Sequence, residues 1–364
     1  MQRSRILVTG GAGFLGSHLT NDLLNQGHTV QVIDDLSGGF LDNVDKRARF
    51  VRGSVTDDKL VERVFADGKF DLVFHLAAYA AEGLSHFIKK FNYQNNLIGS
   101  VNLINASINH GVKCFVFTSS IAVYGGNQVP MTEEMVPVPE DSYGIAKLAV
   151  EQELRVSQAT FGLDYVIFRP HNIYGERQNI GDPYRNVVGI FMNQIMQAQP
   201  MTIFGDGEQT RAFTYVRDII RVMADAPFDL RARNHVFNIG ADKPYTIKEL
   251  ADKVASAMGV PPNVKHLEPR NEVKHAFASH KKLRELFGYE ASVPFETGIE
   301  KMAAWARSVG ARRSKRFGRV EISKNMPEFW KNESHYRSEQ GKDRVSIRTS
   351  RGRREIRPFD RFKP

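Results

Sequence analysis

Tyr143 and Lys147 stand four residues apart in Tyr-Gly-Ile-Ala-Lys, a spacing that puts both on one face of a helix. A free phenol has a pKa of about 10 and is a poor base at neutral pH. A neighbouring ammonium favours the phenolate, so Lys147 is expected to lower the pKa of Tyr143. Upstream, Thr118-Ser119-Ser120 follows the apolar run Cys114–Thr118. In open α/β sheets ligands bind outside the carboxyl ends of the strands, which is where Ser120 would sit. There its hydroxyl can share a proton with Tyr143. A Tyr/Lys pair at this spacing also occurs by chance in unrelated helices, so its weight depends on what precedes it.

What precedes it is a phosphate cradle. Thr9-Gly10-Gly11-Ala12-Gly13-Phe14-Leu15-Gly16 joins a first strand to a first helix, with Gly10, Gly13 and Gly16 spaced G-x-x-G-x-x-G. The spacing differs from the G-x-G-x-x-G dinucleotide fingerprint, but the physics is shared. Glycines permit a tight turn and close backbone approach, and a helix N-terminus attracts a pyrophosphate. Asp34 ends the second apolar run, where a carboxylate accepts hydrogen bonds from an adenosine ribose diol and repels a 2′-phosphate. No Arg directly follows it, which favours NAD over NADP.

The elements that must position these groups alternate along the chain. Short apolar runs (Ile6–Thr9, Thr29–Asp34, Arg49–Arg52, Asp71–His75, Cys114–Thr118, Tyr165–Arg169) alternate with helical patterns near Leu15–Leu24, Lys59–Phe65, Asn95–Ile108 and Tyr143–Phe161. That order predicts βαβ units and an α/β, doubly wound parallel sheet of Rossmann type. After Pro170 the rhythm loosens. Thr246 and Glu249 form a capping box opening a helix Ile247–Met258, and a last helix is expected near Phe295–Val309. Residues 1–175 read as the NAD-binding domain, with a returning segment near 210–240. Residues 176–311 read as an interleaved, smaller substrate lobe, and 312–364 as a basic, flexible extension.

With these motifs in place, the chain resembles the extended short-chain dehydrogenase/reductase family, and within it the nucleotide-sugar 4-epimerases acting on UDP-glucose or UDP-glucuronate. The resemblance spans about Ile6 to Val309. Besides residues 9–16 and the Tyr143/Lys147 pair, it rests on His75-Leu-Ala-Ala78, Asn96 with Gly99, Ser120 with Val123-Tyr124-Gly125, and Arg169-Pro-His-Asn-Ile-Tyr-Gly175. It implies that Tyr143 takes the proton of the sugar 4-hydroxyl while NAD accepts the C4 hydride. The 4-keto sugar then turns over and is reduced on its other face. Lys147 would hold the nicotinamide ribose, and Ser120 would bridge Tyr143 and the sugar oxygen. Phe14, Leu15, Ser54, Val55, Leu76, Ala77, Ala78 and Asn96 would join the glycines and Asp34 around the cofactor. Asn172, Asn186, Arg211 and Arg270 would hold the nucleotide diphosphate, with Glu272 near the ribose; guanidinium suits phosphate because it binds such oxygens bidentately. A homodimer through the Asn95–Ile108 and Tyr143–Phe161 helices is implied as well.

Departures from the family pattern sharpen the choice. Dehydratases and decarboxylases carry an acidic residue just before Val-Tyr-Gly, where this chain has Ile121 and Ala122. The site is therefore expected to oxidise and reduce C4 without dehydration. Ser54 replaces a frequent Asp that meets the adenine amino group. Near Asn179 the additional Arg of several uronate epimerases is missing, although Arg177 and Arg185 lie close enough to serve a carboxylate-bearing sugar.

Charge and composition exclude other classes. The net charge of +9 invites a nucleic-acid reading, but Arg312–Pro364 holds 17 basic and 7 acidic groups and the remaining residues balance to −1. Phe359 and Phe362 are too few for a base-stacking platform, so no specific nucleic-acid partner is expected. No run reaches the ~18 apolar residues of a membrane span. The single cysteine fits a reducing cytoplasm, and the histidines lack metal-ligand spacing. The rival readings are a nucleotide-sugar reductase or dehydratase of the same fold, and a non-catalytic nucleotide- or RNA-binding module.

Overall fold

Six strands of the central sheet form where the apolar runs place them. They are β1 (Arg5–Thr9), β2 (Thr29–Asp34), β3 (Arg49–Arg52), β4 (Leu72–His75), β5 (Cys114–Thr118) and β6 (Asp164–Pro170). The returning segment supplies β7 (His235–Ile239), and all seven run parallel in the order β7-β6-β5-β4-β1-β2-β3. This computed structural model describes residues 3–126, 128–270, 272–314 and 317–331.

The strands read as continuous apolar runs because both faces are covered. Along β1, Ile6 and Val8 join one core with Leu19 of α1 (Phe14–Asn25), while Leu7 joins the opposite core. That second core takes Val61 from α2 (Asp58–Gly68), Leu103 from α3 (Gly99–Asn109), and Val150 and Leu154 from α4 (Ser142–Phe161). The sheet order reverses at β1, so the carboxyl ends of β1, β2, β4 and β5 meet at a switch point, where this architecture binds ligands.

One helix differs from its expected form. Instead of a continuous Asn95–Ile108 helix, a wide π turn at Gln94–Ile98 connects the short helix Lys89–Tyr93 to α3. Such turns interrupt helices where a side chain must be re-aimed. Here Asn96 points inward, and its amide both accepts from the Tyr79 N–H (2.8 Å) and donates to the Tyr79 carbonyl (3.0 Å).

The lobe beyond Pro170 is built on α5 (Val187–Met196), α6 (Val216–Asp225), α7 (Ile247–Met258) and α8 (Phe295–Val309), of which α6 packs back on α1. The capping box forms as read: Thr246 Oγ1 accepts the Glu249 N–H, and the Glu249 carboxylate accepts the Thr246 N–H at 2.7 Å. A small sheet pairs Thr210–Ala212 with Pro244–Thr246 on one side and His275–Ala276 on the other.

The compact body does not end with α8. It runs to Ser323, and Lys324–Pro364 form a second unit, of which Lys324–Lys331 are described and include one helical turn, Glu328–Lys331. Residues near 312 to 323 therefore leave the flexible extension to which the sequence assigns them. They lack periodicity because isolated anchors hold them, among them the backbone of Arg312 between the amides of Asn193 and Gln197. Phe359, Phe362 and the rest of 332–364 lie outside the described residues.

Candidate active site

The glycine cradle has the close-packed form its composition requires. Gly10 has φ +71°, and a Cβ on Gly16 would stand 2.2 Å from the Gly10 carbonyl oxygen. Gly13 caps α1 without a side chain, leaving the N–H groups around Phe14, Leu15 and Gly16 facing the loop with no built-in acceptor. Asp34 is buried at the end of β2; its Oδ2 accepts the Ala12 N–H (3.0 Å) and its Oδ1 the Leu36 N–H (2.8 Å). Each oxygen keeps a lone pair for a ribose diol. Burial raises this carboxyl above its usual range, against the backbone hydrogen bonds that lower it. A pyrophosphate at the helix start and a diol at Asp34 are what an NAD-shaped ligand presents, so these residues fit the cofactor.

The other residues expected around the cofactor line the same edge. The Leu76 and Ala77 N–H groups donate to Thr9 Oγ1, which fixes the stretch through Ala78 against the cradle. Asn96 spends its amide on Tyr79 and Asn92, so its place here is to hold that stretch. Val55 packs under Gly99, and the Ser54 hydroxyl pairs with Thr56 (2.9 Å).

Ser120, Tyr143 and Lys147 converge. Ser120 Oγ accepts the Ala122 N–H, which caps the short Ile121–Tyr124 turn, and its hydroxyl acts on the Tyr143 phenol to favour the phenolate. Gly144 makes the approach of α4 possible, since a Cβ there would stand 2.5 Å from the Ala122 carbonyl oxygen. Asp141 caps α4 through the Gly144 N–H (2.8 Å). Lys147 Nζ donates to the Thr118 carbonyl (2.7 Å) and lies 5.7 Å from the Tyr143 ring centre.

The expected lowering of the Tyr143 pKa by Lys147 does not hold in the protein alone. Burial raises Tyr143 above the usual phenol value, the charge of Glu82 adds to this, and the Ser120 hydrogen bond and Arg185 oppose it. Burial also brings Lys147 down to about 7, only partly offset by Glu151. Both buried groups thus favour their neutral forms.

The charge of a carboxyl acts on Tyr143 from an element that no sequence pattern marks. Glu82 opens a single helical turn, Glu82–Ser85, whose Ser85 Oγ accepts the Tyr143 N–H at 3.2 Å. The Glu82 side chain is exposed, yet it sits in a concavity with enough protein around it to raise its carboxyl to about 7, burial first and the charge of Asp141 second. Its field extends to Arg211, which places it between the reactive trio and the basic cluster. Only its charge distinguishes it in the sequence.

On the substrate side the small sheet gathers three expected residues. Arg211 pairs with Glu272 at 3.6 Å, Arg270 with Glu272 at 2.9 Å, and Arg270 lies over the Phe204 ring. The Arg211 guanidinium also donates to the Val273 and Lys274 carbonyls. Asn172 (φ +39°) and Asn186 (φ +65°) stand on other elements, after β6 and at the start of α5. His171 is a packed core residue: its ring bonds His280 (3.0 Å) and the Ala212 carbonyl. Of the two arginines near Asn179, Arg177 turns to the Ser17 carbonyl of α1. Arg185 pairs with Asp182 and stacks on Tyr79.

Among the described residues no group of three or more His, Cys, Asp or Glu could hold a metal ion, and no helix is long and apolar enough to cross a membrane.

Comparison with known proteins places the chain in a family. The model of the NAD dependent epimerase/dehydratase family matches residues 6–240, and the chain belongs to that family. A putative UDP-glucose 4-epimerase of Methanocaldococcus jannaschii is 32% identical over 309 residues, covering 83% of this chain and 98% of its own. The UDP-glucose 4-epimerase of Thermotoga maritima, solved with UDP-glucose, aligns with a TM-score of 0.78 at 36% identity, over 84% of this chain and 99% of its own. The UDP-glucuronic acid 4-epimerase of Bacillus cereus, solved with UDP-glucuronic acid and NAD, aligns at 0.77 and 29% identity over the same shares.

Proposed function

We propose that this chain is an NAD-dependent C4 epimerase of UDP-sugars that acts through a 4-keto intermediate. The convergence of Ser120, Tyr143 and Lys147 at the sheet edge beside the glycine cradle carries this reading. Tyr143, as the phenolate that bound ligand and positive charge favour, receives the proton of the sugar 4-hydroxyl to become the phenol, and the phenol gives that proton back when the 4-keto sugar is reduced. Bound NAD supplies the hydride acceptor and donor, held by the cradle, Asp34 and Lys147. Arg211 and Arg270 bind the diphosphate, with Glu272 fixing both guanidinium groups; Asn172 and Asn186 face the nucleotide from the opposite elements. Because the cofactor is regenerated in each cycle, no NADH accumulates.

Glu82 selects among sugars. In its ionised form Glu82, whose charge acts on both Tyr143 and Arg211, repels the C6 carboxylate of a hexuronate, and Arg185 is already paired with Asp182. The preferred substrate is therefore a neutral UDP-hexose. A UDP-sugar panel with products resolved by NMR tests both levels. The expected result is hexose epimerisation, with Glu82→Gln raising the relative use of hexuronate ~10-fold, the effect of removing about 1.4 kcal/mol of repulsion. A 4-keto-6-deoxy product or stoichiometric NADH would refute epimerisation. Equal use of hexose and hexuronate by the unmodified enzyme would refute the role of Glu82 alone.

The same reading includes a homodimer. Ile98 on the π turn and Ile145 and Val156 on α4 are large exposed apolar side chains. Ile145 and Val156 are three turns apart and share a face. Light scattering is expected to give twice the chain mass of 41.1 kDa; a monomer at micromolar concentration would be the contrary result.

A further inference from the structure

These relatives are matched over 98–99% of their own length yet leave about a sixth of this chain uncovered, a share about as long as the stretch beyond Val309. The first part of that stretch is fastened to the body at three places around the cofactor-side mouth of the site. At the first, Asn193 grips the Arg312 backbone on both sides, accepting its N–H (2.8 Å) and donating to its carbonyl (2.9 Å). The Arg312 guanidinium lies 3.9 Å from the centre of the Phe40 ring, and the Phe40 N–H in turn binds the Ala12 carbonyl of the glycine cradle at 3.0 Å.

At the second place Phe317 enters an aromatic cluster. Its ring centre is 5.4 Å from Tyr79 and 4.7 Å from Phe91, and its N–H donates to the Tyr184 hydroxyl. Tyr79 directly follows the cofactor-side residues Leu76–Ala78 and carries Arg185 on its ring, 4.7 Å away. Arg185 reaches toward Gly38 in the loop after Asp34 and acts on the Tyr143 phenol. At the third place the Glu321 carboxylate accepts the N–H groups of Lys90 (2.7 Å) and Phe91 (2.9 Å), and the Glu321 and Ile322 N–H groups both donate to the Phe87 carbonyl.

The three fastenings therefore connect α5 of the substrate lobe, the loop over the glycine cradle and the helix Lys89–Tyr93 that leads into Asn96. We propose that the anchors Arg312, Phe317, Glu321 and Ile322 act as a clasp that fixes the mouth of the cofactor site, with Phe317 as the positioning residue whose contact with Tyr79 slows NAD release. These anchors act through Phe40, Tyr79 and Arg185. Contacts of this kind act mainly on dissociation rates.

The test uses the full-length chain loaded with NAD and diluted into an NAD-trapping dehydrogenase, with thermal melting measured in parallel. Phe317→Ala is expected to release NAD ~10-fold faster, a factor worth about 1.4 kcal/mol. Phe317→Leu should fall between it and the unmodified chain, and Glu321→Ala should release NAD several-fold faster through loss of the third fastening. Folded Phe317→Ala and Glu321→Ala proteins that both release NAD at the original rate would overturn the clasp. Should Phe317→Ala fail to fold, the Glu321→Ala rate decides the matter in the same way. Cofactor release is read without any sugar, so the outcome is independent of which sugar the enzyme epimerises.

Discussion

Replacing Tyr143 by Phe is expected to reduce turnover of the UDP-sugar by ~10²–10⁴-fold, the usual contribution of a positioned acid–base group. NAD binding should stay near that of the unmodified chain, because the glycine cradle and Asp34 are untouched. The substitution removes one oxygen from a ring that is only 5% exposed, so the packing of α4 against the Ile121–Tyr124 turn survives. The loss should appear in kcat, with the binding of a UDP-sugar changed little, since a proton acceptor acts in the transition state more than in the ground state. Steady-state kinetics with NMR detection of product, together with an NAD titration, check this. A Phe variant within tenfold of the unmodified kcat would remove Tyr143 from the reaction. Environment sharpens the expectation: burial and Glu82 hold the phenol above its usual value, so only a bound ligand with positive charge nearby brings it toward the phenolate.

Local motifs make part of this site legible in the amino-acid sequence. The cradle and Ser120 follow strands within a few residues, Asp34 ends one, and Tyr143 and Lys147 share a helical spacing, so periodicity and residue type locate them together. Arg211, Arg270 and Glu272 are reached through family resemblance alone, because their meeting depends on the pairing of His275–Ala276 beside Thr210–Ala212. Glu82 and Tyr79 lie in the irregular stretch after β4, where no period marks which side chain faces inward. Phe317 and Glu321 sit in a segment whose arginine-rich composition resembles a solvated tail, and single long-range anchors leave no repeating signal. The lowered phenol pKa fails because helical spacing fixes proximity but not desolvation.

Arg169 shows how a family motif can serve the scaffold. In the sequence it opens Arg-Pro-His-Asn-Ile-Tyr-Gly and counts as a marker of sugar-nucleotide enzymes. In the fold it is 1% exposed and pairs with Glu151 of α4, which is 0% exposed. Its Nε donates to Glu151 Oε1 at 2.9 Å, and its Nη1 donates to the Tyr124 hydroxyl at 2.6 Å. Tyr124 passes the chain on to Asn238 of β7, and Ser119 donates to the same Glu151 oxygen that Arg169 Nε uses. One buried ion pair thus joins α4, β5, β6 and β7 directly behind Ser120. Glu151→Ala leaves the guanidinium charged, buried and without its counter-ion, and is expected to destabilise the fold by about 3–5 kcal/mol. Replacing both partners by apolar residues of similar volume, as in Glu151→Leu with Arg169→Met, should recover much of that loss, because no orphaned charge remains. Denaturant titration of the three proteins separates these outcomes. A Glu151→Ala protein within about 1 kcal/mol of the original would mean that water or a shifted side chain satisfies Arg169. The double variant should still bind NAD, yet its turnover should fall. Tyr124 and Ser119 lose the charge that orients them, and the Ser120 hydroxyl next to them loses the fixed geometry that proton transfer to Tyr143 requires.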